Sequence, residues 1–327
     1  MTEAVAAQSA QRTRRACLAL VTGCTLALAL GCAATTTADD AAAAIELAPG
    51  VFMVRGSAGA AEPANRGRIG NSGFVVGDSG VIAIDTGTSY HHGQALLECI
   101  ARTTDRPVRL ALVTHVQPEF LFGANAFRER SIPIRMHSKA ASLMAARCET
   151  CLKNLNQTLG GEAMAGTAMF DPDEVFDQTH TLAQGGRAVR VIYLGHSSGP
   201  GDVVVLDEAS GVLFAGGLLD DRRIPDVQDS DLAGWRDALA QMRELPLRRI
   251  VPGHGGATTA ATIDAIERYL LGLQTRVTEL LNAGVALSEV PQAASLPEFA
   301  GWDQYDTIHR RNASVVYLRL ERELLYK

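Results

Sequence analysis

From residue 45 onward, short β-rich runs alternate with stretches whose apolar residues recur every three or four positions, which confines the chain to an α/β fold. Strands are expected at 51–55, 73–76 and 81–85, set apart by glycine-bearing turns such as Gly77-Asp78-Ser79-Gly80. A helical pattern follows at 92–102, carried by Ala95, Leu96, Cys99 and Ile100. Pro107 then opens a strand over 108–114, which ends at His115. Further strands are expected at 132–136, 188–194, 203–206, 212–215 and 250–252, with helices at 138–147, 232–245 and 262–281. The pattern predicts one α/β domain over 45–283 and a C-terminal helical tail over 284–327 packed on it, with no internal repeat. Aromatics are only 5% of the chain, so Leu, Val and Ile must do most of the packing.

Residues 1–44 read as a leader and linker and are set aside from the fold. Arg12, Arg14 and Arg15 precede an uncharged run over 16–38 with a Leu/Ala-rich centre at 26–30, the layout of an export signal. The strongly apolar part is shorter than the roughly 20 residues that a membrane span needs. Leu28-Ala29-Leu30-Gly31-Cys32 resembles a bacterial lipobox, which makes Cys32 a lipidation candidate; ordinary cleavage near Ala33-Ala34 is the alternative. The expectation is an exported, periplasmic protein that touches a membrane only through a lipid anchor.

Without the charged residues Glu3, Arg12, Arg14 and Arg15 of its first 32 positions, the chain carries 27 basic and 35 acidic residues, a balance of −8. That leaves no electrostatic footprint for nucleic acid. Beyond the leader the cysteines are Cys32, Cys99, Cys148 and Cys151. The Cys148/Cys151 spacing suits a redox pair or half of a zinc site, but no second pair completes four thiolates. A local disulfide in an oxidising compartment is the simpler expectation, leaving Cys99 unpaired on a helix.

His115, His196 and His254 each follow a β-like run at the start of a loop, where side chains on a rigid scaffold remain open to a substrate. Two have glycine neighbours, Gly195-His196 and Gly253-His254-Gly255, which let the backbone take conformations other residues avoid. A metal or catalytic role and a surface role are both compatible with that placement.

Asp85-Thr86-Gly87, Thr114-His115, Gly195-His196, Phe214-Ala215-Gly216 and Val251-Pro252-Gly253-His254-Gly255 occur in the order found in the metallo-β-lactamase superfamily, which the chain resembles from about residue 48 to 254. Gly301-Trp302-Asp303 and His309-Arg310-Arg311-Asn312 are similar to the end of one branch, the zinc metallohydrolases encoded beside quinoprotein dehydrogenases and sulfur-oxidation systems. The resemblance implies a four-layer αβ/βα sandwich with its site at one edge of two packed sheets. It also implies Asp85 as a buttress behind the metal loop, although a simple turn-forming role fits that residue too.

The family's first metal loop carries His-x-His-x-Asp-His, and here it reads His115-Val116-Gln117-Pro118-Glu119-Phe120. Gln117, Glu119 and Phe120 therefore stand where the family has His, Asp and His, and Gly217 stands where it has a bridging Asp. His196 and His254 match the remaining ligands. Phe120 cannot coordinate, Gly217 has no side chain, and a neutral amide such as Gln117 is a weak zinc ligand. The expected cofactor is accordingly one zinc on His115, His196 and His254, with Glu119 as ligand or general base, or no zinc at all. Asp220 and Asp221 could lean in, although acids on loops are usually solvated.

Two functions follow. One is metal-water hydrolysis of an ester, thioester, amide or lactone-type bond in a small molecule. The other is a non-catalytic binding module for a small molecule or a periplasmic redox protein. Phe120, an apolar ring where a metal would sit, is the feature that would mark the second, while the retained histidines tip the reading slightly to the first, an enzyme.

Overall fold

The computed structural model describes residues 42–183 and 186–326, so the leader and Cys32 lie outside the described residues. Sheet one runs in the order β1 (Ala44–Ala48), β2 (Val51–Val54), β3 (Ser72–Val76), β4 (Val81–Ile84), β5 (Val108–Leu112), β6 (Ile134–His137) and β7 (Glu174–Phe176). Its first four strands pair antiparallel and β4 to β7 pair parallel. Sheet two runs β12 (Arg249–Val251), β11 (Val212–Phe214), β10 (Val203–Asp207), β9 (Val189–Tyr193) and β8 (His180–Leu182), with β11 and β12 parallel and the others antiparallel.

Alternation along the strands shows why these runs are apolar throughout. Ile82 and Ile84 of β4 join Leu110, Leu112, Val203, Val205 and Phe214 in one core between the sheets. Their neighbours Val81 and Ala83 face a second core, which is shared with the helices α1 (Tyr90–Thr103) and α4 (Ser138–Leu159). Val204 and Leu206 face a third, under α5 (Leu232–Arg243) and α6 (Ala261–Asn282). A strand buried on both faces needs apolar residues at every position. Three cores separate four layers, and the expected αβ/βα sandwich is present.

Differences from the expected elements have local causes. Helix α4 continues past 147 to Leu159, because Ala140, Met144, Cys148, Leu155 and Leu159 keep one buried stripe through the polar Cys148-Glu149-Thr150-Cys151 stretch. Outside the expected elements lie β1, β7 and β8, and also α2 (Pro118–Leu121) and α3 (Ala124–Arg128), all of them five residues or fewer. Such short pieces carry no usable period.

The C-terminal residues contribute to the third core. There α7 (Val290–Ala293) supplies Val290, and α8 (Arg310–Leu325) supplies Ala313, Val316 and Tyr317. His309 is buried between the Tyr269 hydroxyl and the Ala294 carbonyl. Asn312 donates to Pro225 O and Tyr269 Oη and accepts from Val227 N, clamping the 225–227 loop. Arg223 pairs with Asp303 at 2.6 Å. The tail motifs therefore shape a loop that borders the candidate site.

Candidate functional site

Asp85 follows β4 and His115 follows β5, a parallel pair, so both reach the same edge of sheet one. In sheet two, His196 follows β9, Asp202 precedes the antiparallel β10, Gly217 follows β11 and His254 follows β12, which again places them at one edge. Gly195 and Gly255, the glycines flanking two of the histidines, have φ of +94° and +93°, values that L side chains rarely adopt.

The His115 side is a buried hydrogen-bonded chain. Asp85 has φ 58°, a left-handed value that Asp tolerates better than most residues. Its carboxylate accepts Thr114 N at 2.8 Å and the Thr114 hydroxyl at 2.9 Å. The Thr114 hydroxyl lies 2.8 Å from His115 Nδ1. His115 Nε2 lies 3.4 Å from Gln117 Oε1. Burial lowers the His115 pKa to about 4, so the ring is neutral. Burial raises Asp85 to about 7 against the Thr114 bonds, and raises Asp202 to about 7 against a hydrogen bond from Ser198. Asp85 both forms the turn and buttresses the loop. Asp85→Ala should cost about 1–3 kcal/mol by orphaning the buried Thr114 groups. Asp85→Asn, which keeps an acceptor, should stay within about 1 kcal/mol of the parent in urea denaturation; equal stability of both variants would show that the loop supports itself.

The His254 side is charged. Asp220 Oδ1 accepts both His254 N at 2.9 Å and His254 Nδ1 at 2.8 Å, while His254 Nε2 donates to Glu119 Oε1 at 3.0 Å. Burial disfavours the imidazolium, but the charge and hydrogen bond of Asp220, with the Glu119 bond, raise His254 to about 9. Burial would likewise raise Glu119, yet the His254 hydrogen bond and charge bring it down to about 2. Asp220 is thus no solvated loop acid but a buried partner of the histidine. Asn71, which sequence reasoning missed, holds the same loop by donating to Pro252 O and Gly255 O and accepting from Gly56 N. Asp202 was missed as well. An Asp just before an almost wholly apolar strand is the one signal that could have flagged it.

The three histidines expected to share a zinc do not converge. The Phe120 ring is fully buried, with its centroid 4.2 Å from that of His115 and 5.3 Å from that of His254. His196 is exposed and donates from Nε2 to Asp229 O at 2.7 Å. A Cβ on Gly217 would sit 2.8 Å from His115 Cδ2 and 3.1 Å from Asp202 Oδ2, so the space of a bridging carboxylate is taken. Among the described residues, no three His, Cys, Asp or Glu side chains are grouped to hold a metal. The donor set on this edge does not fit the zinc centre expected from the sequence, and Glu119 stands as an ion-pair partner rather than a ligand.

Two cavities flank this edge. One, of 590 Å³, is walled by α4 and bordered by His115, Gln117, Asp202 and Asp229. The other, of 430 Å³, is bordered by Glu119, Asp220, His254, Arg223 and Arg311. Gln117, Pro118, Asp226 and Arg311 line both. Cys148 and Cys151 lie in the wall of the larger cavity as two thiols, so the expected disulfide is not formed here. Cys99 is free and buried on α1.

Comparison with known proteins gives a consistent result. The profile of the Metallo-beta-lactamase superfamily matches residues 65–254. A linear primary-alkylsulfatase from Pseudomonas sp. (strain ATCC 19151) is 21% identical over 271 residues, 71% of this chain and 51% of the relative. The chain thus spans about half the length of that curated relative. A metallo-beta-lactamase from Pontibacter korlensis is similar in structure with a TM-score of 0.58 at 22% identity, over 70% of this chain and 99% of its own. A double mutant of the sec-alkyl sulfatase PisA1 gives a TM-score of 0.66 at 17% identity, over 85% of this chain and 50% of its own.

Proposed function

The chain belongs to the metallo-β-lactamase superfamily, a family of metal-dependent hydrolases, and on that premise we propose that it is a small-molecule-binding member whose two-metal centre has been replaced by an ion-paired Asp220–His254–Glu119 chain. The observation that carries this reading is the state of His254. Both its ring nitrogens are held by carboxylates, and Phe120 fills the gap towards His115. Proton transfer works best when a group titrates near the working pH. Glu119 near 2 and His254 near 9 are displaced from neutrality in opposite directions, which suits a fixed charged wall better than a general base.

Hydrolysis of an ester, thioester, amide or lactone-type bond is the second reading. It is favoured by the family and by Glu119 and His254 bordering an open cavity. Export, and a periplasmic redox protein as partner, belong to the proposal on the strength of the leader and the tail motifs.

Elemental analysis of the mature protein, purified without chelator and dialysed against zinc, tests the first reading. We expect at most one zinc per chain, and no turnover of generic aryl esters, lactones or alkyl sulfates. Two zinc ions per chain, with turnover abolished by a chelator and restored by zinc, would overturn it.

A further inference from the structure

We propose that Cys148 and Cys151 form a reversible dithiol–disulfide couple in the wall of the larger cavity, exchanging with small-molecule disulfides that enter it. The two residues are one helical turn apart on α4, so their side chains share a face. Their sulfurs are 3.1 Å apart, and a disulfide needs about 2.05 Å, a closure that side-chain rotation can supply. The two thiols are unequal in access: Cys148 is fully buried, Cys151 is only partly so, and both line the 590 Å³ cavity. A reachable attacking thiol with a buried resolving thiol behind it is the division of labour that exchange requires. This reading is independent of what the His254 edge does.

The local chemistry agrees. The hydrogen bond between the two thiols draws Cys151 down to about 7, while that same bond and burial push Cys148 up. Arg147, beside the pair and itself bound to Asp229, favours the thiolate, and Asp229 opposes it. The other charged or titratable groups on this cavity are the Asp226–Arg311 pair, Asp202 and the neutral His115. The Cys151 thiolate attacks one sulfur of RS–SR, forming a mixed disulfide and releasing RS⁻, which takes up a proton. Cys148 then loses its proton and attacks Cys151 Sγ, expelling the second RS⁻, which is protonated in turn. One dithiol and one RSSR become one intrachain disulfide and two RSH, and two electrons pass from the cysteines to the disulfide.

The test uses the reduced mature protein and glutathione disulfide between pH 5 and 9, with acid quenching, alkylation and peptide mapping. The folded chain should close a Cys148–Cys151 disulfide while Cys99 remains free. Cys148→Ser should stop at a mixed disulfide on Cys151, with a rate that rises with pH as the Cys151 thiolate forms. Cys151→Ser should lose at least about tenfold in rate, because only the buried thiol remains. Circular dichroism reports folding of each variant, and the result on the parent chain stands without them. Failure of the parent to close the pair, closure only in denaturant, or equal reactivity of Cys148 in Cys151→Ser would overturn the proposal.

Discussion

Replacement of His254 by alanine should destabilise the protein by about 3–5 kcal/mol, the cost of leaving buried charges without their partner. Asp220 and Glu119 are buried or nearly so, and each spends its main hydrogen bond on this ring. Without the imidazolium they become two uncompensated carboxylates facing one small void. His254→Gln should recover part of the loss by keeping donors for one carboxylate.

The same chain sets a pH dependence. His254 is raised from 6.5 to about 9 in the fold, so its stabilisation is fully present below 6.5 and is lost as the pH rises through 9. That limb is on the order of 3 kcal/mol. Glu119 is lowered from 4.5 to about 2, so its contribution is present above 4.5 and is lost as the pH falls through 2. Asp85 and Asp202 are raised from 3.8 to about 7 by burial, and they favour the folded state below 3.8 and lose that preference as the pH rises through 7. Urea midpoints should therefore fall between pH 6.5 and 9 in the parent, and His254→Ala should lack that decline. An unchanged alkaline limb in the variant would show that His254 is not the titrating group.

How much of this was legible in the sequence follows from the physics of each residue. The strands beneath the site were readable because both faces are buried, so that runs such as Val203–Asp207 are almost wholly apolar. The positions of His115, His196 and His254 at strand ends were equally plain. Where their side chains point was not. His196 turns to a carbonyl supplied by Asp229, 33 residues away, and no spacing rule encodes that contact. Asp220 looked like any loop acid until the fold placed it against His254. Phe120 was readable as a lost ligand, but that its ring would pack against both histidines depends on how α2 is laid across the edge.

Restoring the family's four missing side chains should not by itself restore two zinc sites. The quadruple change Gln117→His, Glu119→Asp, Phe120→His and Gly217→Asp supplies the right donors and removes the ring between His115 and His254. It also forces a side chain into a space already held by His115 and Asp202, since even the Cβ would lie 2.8 Å and 3.1 Å from their atoms. Overpacking of that kind costs about 1–3 kcal/mol. Shortening Glu119 to Asp at the same time moves a carboxylate away from His254 Nε2, which frees that nitrogen but weakens the ion pair that holds the loop. The quadruple variant should therefore fold less stably and hold less than two zinc per chain. Adding Asp202→Ala removes the 3.1 Å contact and a buried acid that is itself costly to ionise at neutral pH, so that only the His115 ring has to turn as it takes up metal. Zinc per chain should then rise towards two, with His196 swinging from Asp229 to the metal, and His115→Ala or His196→Ala in that background should reverse the gain. Zinc content by elemental analysis, with urea denaturation alongside, decides the matter. Two zinc ions in the quadruple variant with Asp202 intact would mean that the carboxylate gives way easily, and that the ligand identities alone had closed the site.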